Sequence, residues 1–176
     1  MKFETVVQRM SAFKTFIDDE KLCIKLLSMG YFVDPASTKY HLSYEGGLFE
    51  HSLNVTIALI ELTASQGLKW QREQSPIIIG LLHDIYKCNT YIKQEDGSYK
   101  YNPDADFRHG IKSVEIAKTL IDITEEEEAC ILNHMGAFTE KEKWSQYTAA
   151  IHKFPNVLWT HTADMIASHI EEEKQS

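Results

Sequence analysis

The sequence predicts an all-α helical bundle with one small β-hairpin inserted at about residues 91–101. Apolar residues recur at three- and four-residue spacing along most of the chain, as the buried faces of amphipathic helices do. Capping residues, prolines and glycines interrupt that pattern at intervals suited to short helices. One stretch breaks the pattern: YIKQEDGSYKY sets Asp96-Gly97 between two β-prone arms, a strong hairpin signal.

Phe3, Val6, Val7, Met10, Phe13 and Ile17 mark an amphipathic helix over residues 3–17. Asp18–Glu20 can start a second helix, which stops at Gly30 as a C′ glycine. Between Val33 and Gly47 the periodicity is lost, and Pro35, Ser37, Thr38, Gly46 and Gly47 indicate a long loop. A third helix is expected from about Leu48 to Gln66, ended by Gly67. Ser75-Pro76 reads as an N-cap followed by proline at the first helical position. It opens PIIIGLLHDIYK, apolar on all sides until His83, as a helix at the domain centre would be. After the hairpin, helix returns at about His109–Leu120. Thr124 with Glu127 makes a capping box, and Glu125–Glu128 sit favourably at the positive end of the next helix. That acidic run is read as a cap and a solvated face rather than a metal site. A last long helix follows Pro155 and ends in the acidic tail EEEKQS. Residues 1–176 read as one domain, with helices of 1–30 packing on a motif-bearing core of 46–171.

Composition narrows the function. The 43% hydrophobic content suffices for a core without staples. No apolar run is long enough to span a membrane. Glu4, Gln8 and Arg9 stand where a signal peptide needs an apolar stretch, so a soluble, cytoplasmic protein is expected. Cys23, Cys88 and Cys130 form no CxxC pair, which argues against disulfides and a zinc ribbon and leaves them as small buried residues. The net charge is −8 with no basic cluster, so a long nucleic-acid partner is not expected. A small phosphorylated substrate remains open, because bound divalent cations supply local positive charge.

The chemistry lies in the histidines. His51, His83-Asp84, His109, His134 and Asp164 follow one another at intervals of about one helix plus one connection. Each group can then come from a different helix, which is how bundles build metal sites. His51 and His109 open their helices; His83-Asp84 and His134 close theirs. Asp164 lies mid-helix between Ala163 and Ala167, where a carboxylate is costly to bury unless paired or bound to a cation. Imidazole and carboxylate together suit Fe, Mn, Zn or Ni. Asp84, beside a ligand histidine, is the candidate to bridge two metals, and such a pair holds a phosphoryl group and activates a water.

GGLFEHSLNV, LLHDIYK, RHGIKSVEIAK, ILNHMG and LWTHTADMIASHIE, in that order from Gly46 to Glu171, resemble the successive motifs of the HD-domain metal-dependent phosphohydrolases. The resemblance implies an HD-domain helical bundle in which His51, His83, Asp84 and Asp164 form the one-metal set. His109 and His134 match the further histidines of two-metal members. It is similar to small HD hydrolases of bacteria and phages and to the HD domains of 3′–5′ exoribonucleases, although nothing here supplies the nucleic-acid domain of the latter. Lys87 fits the lysine of the extended HDxxK motif, implied to contact substrate phosphate; a helix-end lysine complementing the dipole is the alternative. Two departures are Tyr86, where many members have glycine, and Asn133-His134, which replaces a histidine pair.

The resemblance implies hydrolysis of a phosphomono- or phosphodiester of a nucleotide or short oligonucleotide. Two divalent ions activate the water, Fe or Mn foremost, with Ni, Zn or Mg as alternatives. Asp84 and Lys87 are the catalytic candidates, and Lys87 with Arg108 the phosphate contacts. His161 can act behind Asp164, while His41, His152 and His169 are read as structural or solvent-facing. The hairpin either overhangs the site as a flap or decorates the surface. A di-iron oxygenase on the same ligands, and a non-catalytic metal-binding module, are the other readings. The first helix leaves monomer or dimer open.

Overall fold

A computed structural model describes residues 3–38, 42–105 and 108–172. Helix α1 (Val6–Phe16) opens on a capping box: the Thr5 hydroxyl accepts from the Gln8 backbone N–H, and the Gln8 side chain accepts from the Thr5 N–H. Helix α2 (Glu20–Ser28) is capped by Asp19, which accepts from the Leu22 N–H. Phe13, Leu22, Cys23 and Leu26 carry these helices into the core, whereas Val7 of the expected apolar face lies on the surface.

Past Gly30 the chain crosses the expected loop, of which His41 lies outside the described residues. Tyr31 and Phe32 pack with Phe13 and Phe49 in one aromatic cluster, ring centroids 5.2–6.0 Å apart. The Tyr31 hydroxyl also donates to the Leu81 carbonyl at 2.5 Å, tying the loop to the chain just ahead of His83.

Helices α3 (Gly47–Gln66) and α4 (Ser75–Leu82) form the centre. They approach so closely because Gly80 has no side chain: a Cβ there would stand 2.4 Å from Thr56 Oγ1 and 2.5 Å from Thr56 Cα. Ser75 is the first helical residue rather than the cap; Gln74 holds the cap position without a side-chain bond. The Ser75 hydroxyl donates to the buried Glu127 Oε1 at 2.7 Å, a charge-assisted bond that ties the start of α4 to the Glu127 carboxylate.

A 3₁₀ turn (Ile85–Lys87) leads into strands β1 (Tyr91–Lys93) and β2 (Tyr99–Tyr101), antiparallel with Tyr91 opposite Tyr101. Gly97, at φ 83°, supplies the left-handed residue of the turn. Helices α5 (His109–Leu120) and α6 (Glu125–Leu132) follow, α6 with the capping box of Thr124 and Glu127. The acidic run is only partly solvated, contrary to the sequence reading: Glu126 and Glu127 are buried. Arg72 donates twice to Glu127, at 2.7 and 2.6 Å, while Gln71 N–H and Asn156 Nδ2 bond Glu126 at 2.6 and 2.9 Å. Those donors, on segments distant in sequence, make burial of the charge tolerable.

Helix α7 (Trp144–Lys153) was not expected from the sequence; Tyr147, Ala150 and Ile151 pack its apolar side on the core, but none of its residues is fully buried and no side chain caps it. Helix α8 (Asn156–Ile166) continues into a π turn (Ala167–Glu171). Helix α3 packs chiefly on α4 and α8, α6 on α8 and α4, and α5 on α6. Among the described residues no helix is long and apolar enough to cross a membrane.

Candidate metal centre

The centre is built where helices end. His51 stands near the start of α3, and His83 caps α4. Asp84 leaves the helical conformation (φ −108°, ψ 17°), so the chain bends between two adjacent functional residues. The sequence reading kept both in the last helical turn; the bend is what turns the two side chains to one point. His134 lies just beyond α6 and Asp164 in α8.

His51 Nε2 lies 3.3 Å from His83 Nε2, 3.3 Å from Asp164 Oδ1 and 3.5 Å from Asp84 Oδ2. The other oxygen of Asp84 faces His134 Nε2 at 3.3 Å, so this carboxylate reaches to both sides. Donor atoms of His51, His83 and Asp164 all lie within 4.8 Å of one another, a group that can hold a metal ion. His109 is not in that group. Its ring stacks on Tyr86 (centroids 4.7 Å, 26°), with Nδ1 3.2 Å from the Tyr86 hydroxyl.

The second nitrogen of each central histidine decides what the first can do. His51 Nδ1 faces the Glu172 carboxylate at 2.9 Å, His83 Nδ1 the Gly80 carbonyl at 2.9 Å, and His134 Nδ1 the Ile131 carbonyl at 2.7 Å. These partners only accept, so each Nδ1 carries the hydrogen. In the neutral rings every Nε2 is then a lone pair, and the three point at one another or at carboxylate oxygens. Such convergence of acceptors in a buried place calls for a cation, and the donor set fits one.

Protonation shows the same demand. Burial pushes His51 down, yet Asp164 and Glu172 overcome it and hold the ring at about 10. Burial dominates at His83 and lowers it to about 4. His134 is raised by Asp84 against its burial. Burial would raise Asp84, but Lys87, His83 and His134 hold it well below the usual carboxylate range.

Lys87 Nζ sits 2.7 Å from Asp84 Oδ2. Arg108 is exposed and bonds Glu115 at 3.2 Å. His161 Nδ1 faces the His134 carbonyl at 3.0 Å, behind His134 rather than Asp164. His152 and His169 are exposed. The sequence reading missed Glu172, which it left in an acidic tail; it is buried against His51 and also accepts from Asn54 Nδ2 at 3.3 Å. Nothing in EEEKQS separates this glutamate from its neighbours.

The sequence profile of the HD domain family matches residues 48–174. The chain is also similar to the dihydroneopterin 2′,3′-cyclic phosphate phosphodiesterase of Methanocaldococcus jannaschii, 42% identical over 72 residues. That match covers 38% of this chain and 28% of the relative, so the chain spans well under two thirds of the relative's length. No solved structure matches.

Proposed function

The chain belongs to the HD domain family, and from that premise we propose that it is a metal-dependent phosphohydrolase acting on a phosphate ester of a nucleotide or short oligonucleotide. One observation carries the reading: three imidazole Nε2 atoms, each with its Nδ1–H committed elsewhere, converge with the carboxylates of Asp84 and Asp164.

His51, His83 and Asp164 would hold one ion; His109 and His134 would serve a second, with Asp84 between them, for its two oxygens face the two sides. Two divalent ions, Fe or Mn foremost, would acidify a water into a nucleophile and neutralise the phosphoryl oxygens. Asp84 keeps its charge at neutral pH and so stays an acceptor throughout. Lys87, held beside Asp84, keeps a positive charge at the phosphate's approach. Arg108 would reach the phosphate only by leaving Glu115.

The relative acts on a 2′,3′-cyclic phosphate by its name, which places cyclic phosphodiesters first among substrates to try. The test is hydrolysis of cyclic and linear nucleotide esters by protein loaded with Mn, Fe, Ni or Mg, with metal content measured in parallel. Turnover with about two ions per chain is expected. A metal-loaded protein that releases nothing from the panel overturns the reading.

A further inference from the structure

On the hairpin side of the domain, Tyr86, Thr90, Tyr91, Tyr101 and His109 line a cavity of about 360 Å³. Two ring pairs border it. Tyr86 stacks on His109, and Tyr91 faces its cross-strand partner Tyr101 with centroids 5.2 Å apart at 53°. The first pair belongs to the body of the domain and the second to the hairpin. Thr90 brings no free donor, because its hydroxyl bonds the Tyr86 carbonyl at 2.9 Å.

A two-stranded hairpin has no core of its own. This one is pinned at its base, Asn102 N–H donating to the Thr90 carbonyl at 2.9 Å and Asn102 Nδ2 to the Asn89 carbonyl at 3.0 Å. Core packing therefore does not explain Tyr101, which stays 59% exposed at the edge of the cavity. The cavity is turned toward the centre: Asp84 and Lys87 lie near enough to act electrostatically on Tyr86, Tyr91 and His109, which line it.

We infer that this cleft is the subsite for a planar heteroaromatic ring on the alcohol side of the scissile ester. The inference rests on the reading of the centre as a phosphohydrolase. Aromatic side chains take up a flat ring through its π-face, whatever the ring's hydrogen-bonding edge. The volume is near the lower end of small-ligand pockets, roughly 300–1,000 Å³, which fits one ring system and not a polymer. Among the described residues the walls are three phenols, a threonine and the His109 imidazole, with no carboxylate or basic side chain, so the cleft selects for ring over no ring and discriminates weakly between rings.

The test compares adenosine 2′,3′-cyclic phosphate with glycerol 1,2-cyclic phosphate, which shares the strained phosphate but lacks the ring, using the Mn-loaded full chain. The wild type is expected to favour the adenosine ester at least tenfold in kcat/KM. Tyr101→Ala should collapse that ratio roughly tenfold or more through KM for the adenosine ester, while Tyr101→Phe preserves it. Calorimetric binding of adenosine itself to the metal-free protein should weaken in step in Tyr101→Ala. Equal use of both esters by the wild type, or an unaltered ratio in Tyr101→Ala, overturns the subsite. If neither ester is hydrolysed, it is the phosphohydrolase reading that fails. The binding arm then decides the cleft: adenosine bound and weakened by Tyr101→Ala supports it, and absent or unaltered binding overturns it.

Discussion

Glu172 accepts the Nδ1–H of His51 at 2.9 Å with both side chains buried, so a residue from the far end of the chain sets the orientation of an imidazole near the start of α3. The contact raises the basicity of His51 and points its Nε2 at Asp164 and Asp84.

Replacing that partner should act on the metal before it acts on the fold. Glu172→Ala is expected to weaken metal binding about 10- to 100-fold, and Glu172→Gln, which retains an acceptor without the charge, should fall between. Competition with a chromogenic chelator measures it. Variants that bind metal as the wild type does would show that Glu172 only packs.

Lys87, half-buried, pairs with the buried Asp84. In the metal-free protein, Lys87→Met leaves the Asp84 charge without its main partner and should cost about 3 kcal/mol. Bound cations offset that charge, so the loss should shrink when Mn is added. Thermal unfolding of both forms, with and without Mn, reads the difference; a loss of equal size in both states would separate Lys87 from the centre.

Gly80→Ala pushes a methyl group into Thr56 where α3 and α4 touch. Overpacking of this kind is expected to cost about 1–3 kcal/mol, seen as a lower urea midpoint. It should also disturb His51 and His83, which those two helices carry, and so reduce metal content. A variant of undiminished stability would mean the helices slide apart freely.

Alkaline pH should loosen the core. Burial pushes the Cys130 thiol up to about 12. Its folded pKa is raised, so its stabilising contribution is complete below about 9, the unfolded range, and is lost as pH climbs toward 12. The slope is at most about 1.4 kcal/mol per pH unit for the one group. Urea midpoints between pH 8 and 11 should fall in wild type and fall less in Cys130→Ala.

Helices α3, α5 and α6 were legible because their caps and glycines are local features: Gly67, the box of Thr124 and Glu127, and the apolar periods between them. The hairpin was legible for the same reason, through Asp96-Gly97. Ser75 proved not to be a cap, and Glu127, although it forms the expected box with Thr124, proved buried; the bond between the two spans 52 residues and leaves no mark near either. Helix α7 was less legible: Tyr147, Ala150 and Ile151 give it a short apolar stripe, but it buries no residue completely and no side-chain cap marks its start. His51, His83, Asp84, His134 and Asp164 do come together, as their spacing suggested. The position of His109 against Tyr86 depends on how the 3₁₀ turn presents Tyr86, which spacing does not encode.

The bend between His83 and Asp84, and the late position of Asp164 and Glu172, bear on biosynthesis. During translation the imidazoles of His51 and His83 leave the ribosome well before either of those carboxylates exists. An emerging chain thus offers His51, His83 and Asp84 without the rest, an incomplete set that a divalent cation would occupy loosely. Asp164, and the Glu172 carboxylate that orients His51, arrive only once most of the helices have been made, so the choice among cations falls to a cavity already shaped by packing rather than to a nascent loop.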